Sequence, residues 1–212
     1  MNDLLIDLDN TVYPEDSQIF SQIDFKMKSF ISESLNISLK DAYKIQKKYF
    51  SEHGTTLRGL MLYHGIDPDI FLDYVHKIDL NSINKNKTLS VLLKEYKGKK
   101  IIFTNGSFTH ANNILKKIGI EKYFDSIFDI KDANYIPKPN LITYKKVLHK
   151  YNLNAAKTIM IDDLPTNLKS AKNLGIKTIL IKKKIDRKVY NYVDLVSKDL
   201  SDTLIKINNE EV

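Results

Sequence analysis

No cysteine occurs anywhere in the 212 residues. Disulfides, thiolate metal sites and thiol catalysis are therefore excluded, and a reducing compartment such as the cytoplasm is expected. Long apolar runs are missing too. The first one, Leu4 to Ile6, stops at Asp7, so neither a signal peptide nor a membrane helix is expected. Arginine is scarce: Arg58 and Arg187 are the only two among 33 basic residues. The net charge of +7 could signal a nucleic-acid partner,. However, the lysines are scattered and no basic segment is interleaved with exposed aromatics for stacking. The densest run, Lys182-Lys183-Lys184, reads as a solvated strand end,. No nucleic-acid or membrane partner is expected. With 42% hydrophobic and 28% charged residues, the composition is that of an ordinary globular protein,. The length suits one sizeable core, or a core with a substantial insertion.

Five short apolar runs recur: Leu4 to Leu8, Lys100 to Thr104, Ser126 to Ile130, Thr158 to Ile161 and Lys177 to Ile181. Each has strand length and little alternation, as buried parallel strands do. Helical periodicity separates the later ones, over Phe108 to Ile118, Asn140 to Tyr151 and Thr166 to Leu174. That rhythm predicts an α/β fold with a three-layer, Rossmann-like parallel sheet. Residues 15–97 carry only helix patterns and turn signals. Ser38 with Asp41 looks like a capping box for a helix that Gly54 closes, Thr56 to His64 ends at Gly65, and Asp67-Pro68 opens a helix running to Ile78,. We therefore expect a core of residues 1–14 and 98–212 with an all-helical insertion, 15–97, after the first strand.

Polar clusters fall where strands end, and ligands of open α/β sheets bind at the carboxyl ends of strands. Asp7 and Asp9 close the first strand, with Asn10-Thr11 as turn formers,; two solvated acids at a strand end is the competing explanation. Thr104, Asn105 and Ser107 follow the second strand, where a hydroxyl and a helix N-terminus could hold a phosphate oxygen, or simply cap the helix. Lys138 stands between Pro137 and Pro139, its backbone biased to an extended form and Pro139 suited to the first turn of the next helix,. Asp162 and Asp163 end the fourth strand. Such adjacent acids are costly to bury unless a cation or hydrogen bonds offset them, and carboxylate oxygens suit magnesium. Asn167 can support them from the following helix. Together these stations supply a nucleophile, an acid, an oxyanion holder, a cation and a metal site, which phosphoryl transfer requires.

In the same order, Asp7-Leu8-Asp9-Asn10-Thr11, Thr104 with Asn105, Lys138, and Asp162-Asp163 with Asn167 resemble the four motifs of the haloacid dehalogenase-like phosphatases. The resemblance implies that Asp7 attacks phosphorus to form an aspartyl-phosphate while Asp9 protonates the leaving oxygen and then activates water. Thr104, Asn105 and Lys138 would bind the phosphate. Mg2+ would sit on Asp7, the Asp9 main-chain carbonyl and Asp163, with Asp162 adjoining. The dehalogenases of the superfamily lack the second acid of the first motif, so Asp9 argues for phosphate chemistry. The helical insertion resembles a cap. Gly54 to Leu60 with His64-Gly65, Val12-Tyr13-Pro14 and Thr109-His110-Ala111 are similar to the pyrimidine 5′-nucleotidase group. That similarity implies nucleoside 5′-monophosphates as substrates and Arg58 as a cap residue meeting them, with His64 and His110 as weaker candidates. A sugar phosphate or another small metabolite is the alternative substrate. A non-catalytic, ligand-binding member of the fold is the rival from another class.

Overall fold

The computed structural model describes residues 1–183 and 190–209; Lys184 and Arg187 lie outside them. Its centre is a parallel sheet of β1 (Asp3–Ile6), β2 (Lys100–Phe103), β3 (Ser126–Phe128), β4 (Thr158–Asp162), β5 (Lys177–Ile181) and β6 (Leu195–Ser197), in the order β3-β2-β1-β4-β5-β6. The chain leaves β1 toward one edge and later returns to its other side, so β1 marks the switch point where such sheets open a crevice. Side chains alternate between two fully covered faces. Leu4 and Ile6 join Ile102, Ile159 and Ile161 in one cluster, while Leu5, Ile101, Phe103 and Met160 point into the other,. Burial on both faces is why these strands read as continuous apolar runs.

Helices α6 (Phe108–Ile118) and α9 (Leu200–Asn208) cover the first face, and α7 (Leu141–Lys150) with α8 (Pro165–Lys172) covers the second. This is the expected three-layer α/β fold. The sixth strand was not anticipated, because only Leu195 and Val196 are apolar there, between Asp194 and Ser197. The first strand stops at Ile6, two residues early, although the Asp7 amide continues the ladder by donating to the Ile161 carbonyl at 2.9 Å. Pro139 is not in a first helical turn either. Asn140 is the N-cap of α7, accepting from the Ile142 amide, and Pro139 precedes it.

Between β1 and β2 lie α1 (Ile19–Leu35), α2 (Leu39–His53), α3 (Thr56–His64), α4 (Pro68–Val75) and α5 (Lys87–Glu95). The predicted caps are present. Ser38 accepts from the Asp41 amide, Gly54 and Gly65 end α2 and α3 with positive φ, and Asp67 caps a helix with Pro68 at its first turn. Helix α4 ends at Val75, before Ile78, with His76 as its C-cap. The first four helices share a core of their own built around Ile23, Phe30, Leu57, Leu60, Phe71 and Val75. Helix α5 does not join them. Its Leu89 and Leu93 sit in the sheet cluster beside α9, so packing sets it with the α/β layers although it falls inside 15–97. Among the described residues no helix is long and apolar enough to cross a membrane.

Candidate active site

The carboxyl ends of β1, β2 and β4 and the loop after β3 bring the predicted stations together around Lys138. That side chain is 1% exposed and its three donors are all used: Asp7 Oδ1 at 2.7 Å, Asp162 Oδ2 at 2.8 Å and the Phe103 carbonyl at 2.7 Å. Burial works against the ammonium charge, but Asp162 and Asp7 outweigh it and hold the group above the ordinary lysine range,. The loop is fixed by a reciprocal pairing. Asn105 Nδ2 donates to the Lys138 carbonyl at 3.2 Å, and the Lys138 amide donates to Asn105 Oδ1 at 2.8 Å. Asn105 Oδ1 and one of its two Nδ2 hydrogens are thus engaged with the Lys138 backbone,.

Asp162 is fully buried and saturated with donors. Besides Lys138, Asn167 Nδ2 reaches both its oxygens at 3.0 Å, and the Leu164 amide donates to Oδ1 at 2.9 Å. It serves to hold the lysine. Asp7, Asp162 and Asp163 nonetheless offer oxygens within 4.8 Å of one another. Burial pushes the Asp7 carboxyl up to about 7, with Lys138 opposing and Asp162 adding repulsion. Burial, then Asp7 and Asp162, take Asp163 up to about 8. Three carboxylates share one ammonium here, and a divalent cation would balance the set. With only oxygen donors, the residues fit Mg2+. Asp7 and Asp163, neither of them saturated as Asp162 is, are the side chains that would ligate it.

Asp9 is held apart from that trio. Its Oδ1 accepts from the Tyr13 hydroxyl at 2.5 Å and pairs with His110 Nε2 at 2.9 Å. Burial tends to raise its pKa, but the His110 charge and the bonds from His110 and Tyr13 prevail, and the carboxyl lies below the usual range. His76 stacks on His110 with ring centroids 4.2 Å apart and pairs with Ser107 Oγ at 2.9 Å. Burial first, then the His110 charge, depress His76 to about 3. Thr104 is buried; its hydroxyl oxygen accepts from the Gly106 amide at 2.9 Å, which leaves its proton to donate. At the start of α6, the Phe108 amide is taken by Asp129 at 2.8 Å and the His110 amide by Ser107 at 3.3 Å. The helix N-terminus is therefore less available to a phosphate than its position suggested.

Asp7, Asp9, Thr104, Asn105, Lys138 and Asp163 floor a cavity of about 300 Å³ whose remaining wall comes largely from the helical insertion. Phe20, Ile23, Met27, Phe50, Leu57 and Phe71 line it, with Asp24, Gln46, Lys47, Thr55 and Thr56 as its polar members. Arg58 is not among the lining residues; its amide donates to Thr55 Oγ1 within α3. His64 is exposed and pairs with the Tyr49 hydroxyl at 2.7 Å, also away from the cavity. Of the two histidines named from sequence, only His110 reaches the site. Tyr13, Gln46, His76 and Asp129 went unrecognised as site residues. Of these, only Tyr13, four residues after Asp9, carried a local signal.

The haloacid dehalogenase-like hydrolase model matches residues 4–181. The chain belongs to that family. Among curated proteins it is similar to glyceraldehyde 3-phosphate phosphatase of Methanocaldococcus jannaschii, 27% identical over 99% of this chain and 94% of that one. It is also similar to 2-deoxyglucose-6-phosphate phosphatase 2 of Saccharomyces cerevisiae, 26% identical over 79% of this chain and 73% of that one. Solved structures of the same fold include a HAD phosphatase from Thermococcus onnurineus, with TM-score 0.62, 19% identity and coverage of 100% and 98% of the two chains. Another is an L-2-haloacid dehalogenase from Xanthobacter autotrophicus carrying covalently bound chloropropionic acid, with TM-score 0.63, 13% identity and 98% coverage of both chains. The haloacid dehalogenase-like fold thus carries more than one chemistry, and the site has to decide between them.

Proposed function

We propose that this family member is a magnesium-dependent phosphomonoesterase working through an aspartyl-phosphate on Asp7. The observation that carries the reading is the division of labour between the acids. Asp7 has one oxygen locked to Lys138, Asp162 is saturated, and Asp9 stands apart on its own hydrogen bonds. A dehalogenase has no use for that separate acid; phosphate ester cleavage needs one.

Bound magnesium would offset the repulsion between the nucleophile and a phosphoryl dianion. Lys138 orients Asp7 so that Oδ2 faces the cavity and attacks phosphorus, and the bond to the leaving oxygen breaks. Thr104 donates its hydroxyl proton to a phosphoryl oxygen as a hydrogen bond. Asp9 Oδ2 gives a proton to the leaving alcohol. It then takes one from the water that attacks the acyl phosphate, returning Asp7 as a carboxylate. Its depressed pKa suits this second half. In the first half the incoming dianion beside it raises its affinity for a proton. The insertion would act as a cap, excluding water around the reacting atoms.

For the substrate we favour nucleoside 5′-monophosphates such as UMP or CMP. The cavity wall is mostly apolar, with Phe20 and Phe50 among its members. Such a wall covers the faces of a base more favourably than the hydroxyls of an open-chain sugar, which would be desolvated without partners. The activities for which the two relatives are named support a second reading, a small sugar phosphate. The test is phosphate release across a metabolite panel with and without Mg2+, alongside Asp7→Asn. Turnover that survives Asp7→Asn would remove the proposed nucleophile. Turnover of sugar phosphates with indifference to UMP and CMP would decide for the second reading.

A further inference from the structure

The two oxygens of Asp9 are in different situations. The Tyr13 hydroxyl at 2.5 Å and His110 Nε2 at 2.9 Å both meet Oδ1, whereas Oδ2 has no hydrogen-bond partner among the described residues. The side chain keeps 17% of its surface accessible. A β-carbon placed on Gly106 would stand 3.3 Å from Thr104 Oγ1 and 3.8 Å from Asp9 Oδ2, so the free oxygen and the Thr104 hydroxyl flank one glycine of the cavity lining.

The two donors differ in origin. Tyr13 lies four residues after Asp9, in the same turn of chain, whereas His110 belongs to the first turn of α6, the helix that follows Thr104, Asn105 and Gly106. His110 therefore ties the acid to the segment that carries the hydroxyl proposed to hold phosphate. A carboxylate only accepts, so Nε2 carries the proton of this bond. The imidazole is seated in turn from the insertion. It is 3% exposed, and the ring of His76, the C-cap of α4, lies against it at 4.2 Å between centroids and within 7° of parallel. His76 Nδ1 is paired with the Oγ of Ser107, the N-cap of α6, at 2.9 Å.

Building on the phosphomonoesterase reading, we propose that His110 is a positioning residue, seated by His76 and acting through Asp9, which it fixes so that Oδ2 meets the leaving oxygen. A carboxylate held through one bond can swing about that bond; a second donor from another segment stops it. The gain is large, because a proton has to be handed over within hydrogen-bond reach and a displacement of about 1 Å can cost about 100-fold. His76 makes this alignment depend on contact between the insertion and the α/β layers.

The experiment compares leaving groups. p-Nitrophenolate departs without a proton, whereas an alkoxide needs one, so a loss confined to alkyl esters reports on Asp9. kcat/KM, which covers departure of the alcohol, is measured with Mg2+ for p-nitrophenyl phosphate and for the better of UMP and 2-deoxyglucose 6-phosphate. In His110→Leu the ratio of alkyl ester to p-nitrophenyl ester should fall by roughly 10- to 100-fold. His110→Gln, whose amide presents an N–H in place of Nε2, should recover most of it. His76→Ala should lower the same ratio by at least about 3-fold. A ratio unchanged within about two-fold in either His110→Leu or His76→Ala, rates that fall together for both esters, or an equal loss in His110→Gln overturns the proposal. Should His110→Leu not fold, the ratio in His76→Ala decides on the same terms. A natural protein that releases phosphate from none of these esters fails earlier, at the phosphomonoesterase reading. One that accepts p-nitrophenyl phosphate alone passes that reading and overturns this one, because no acid then serves an alkoxide.

Discussion

Replacing Lys138 by methionine keeps much of the side-chain length and removes the charge. Three short hydrogen bonds disappear, two of them to the buried carboxylates of Asp7 and Asp162 and one to the Phe103 carbonyl. Removing one partner of a buried ion pair costs about 3–5 kcal/mol, because the other is left uncompensated. For a chain of this size each kcal/mol moves the melting point by about 2–4 °C, so Lys138→Met should lower Tm by roughly 6–20 °C. The assay is thermal unfolding in excess chelator, so that no added cation substitutes for the ammonium. The loss should depend on pH. Lys138 is charged throughout pH 5–8, so its contribution is present across that window. Without it the folded-state pKa of Asp7, already raised by burial, rises further, and a group raised in this way costs stability as pH climbs past its unfolded value,. The deficit should therefore be larger at pH 8 than at pH 5. Adding Asp7→Asn removes one stranded charge and should recover about 1–2 kcal/mol, a coupling typical of groups in contact. A Tm change below about 3 °C, an equal loss at both pH values, or no recovery in the double variant would refute this account of the site.

Three further outcomes are expected. Asp7 and Asp163 have pKa values raised to about 7 and about 8. The chelator-treated protein should then lose stability as pH rises from about 4, near the unfolded value, through about 8. Mg2+ at 100 times its Kd should raise Tm by about 5–10 °C at pH 8 and by clearly less at pH 5.5, where protons compete for the same oxygens; an equal shift at both would argue against those ligands. A methyl group added at Gly59 would lie 2.2 Å from Tyr49 Cγ. Overpacking there outweighs the helix preference for alanine, so Gly59→Ala should destabilise by up to about 2 kcal/mol in urea unfolding. Stabilisation would contradict the close approach of α2 and α3.

Much of this molecule was legible in the chain because its signals are local. Five strands announced themselves as apolar runs buried on both faces, and α3 matches its sequence-drawn limits, Thr56–His64, because Thr55 and Gly65 are strong cap residues,. The stations at Asp7, Thr104, Lys138 and Asp162-Asp163 were visible because each directly follows a strand or is clamped by prolines. Features made by chain segments meeting in space were not visible. Asn105 looked like a phosphate ligand, and its two bonds to the Lys138 backbone could not be foreseen. Arg58 was chosen from the resemblance of its segment to a nucleotidase cap, and it is not among the residues that line the cavity. His76 ends a helix of the insertion and becomes distinctive only when the His110 ring lies against it. The extent of the helical insertion could not be read locally either, since α5 has the same periodicity as its predecessors and differs only in what it packs against.

The reciprocal bonds between Asn105 and the Lys138 backbone tie two loops, from two different strands, into one bracket. Thr104 rides on one arm and the ammonium on the other. Motion shared by the loops cancels out of their separation, so the spacing between the Thr104 hydroxyl and the ammonium is kept when the loops move together. The same bracket separates two rates of evolutionary change. Residues of the insertion can turn over without touching it, whereas a change at position 105 would break both bonds to the Lys138 loop. An asparagine there should persist among descendants of this enzyme that no longer share a substrate.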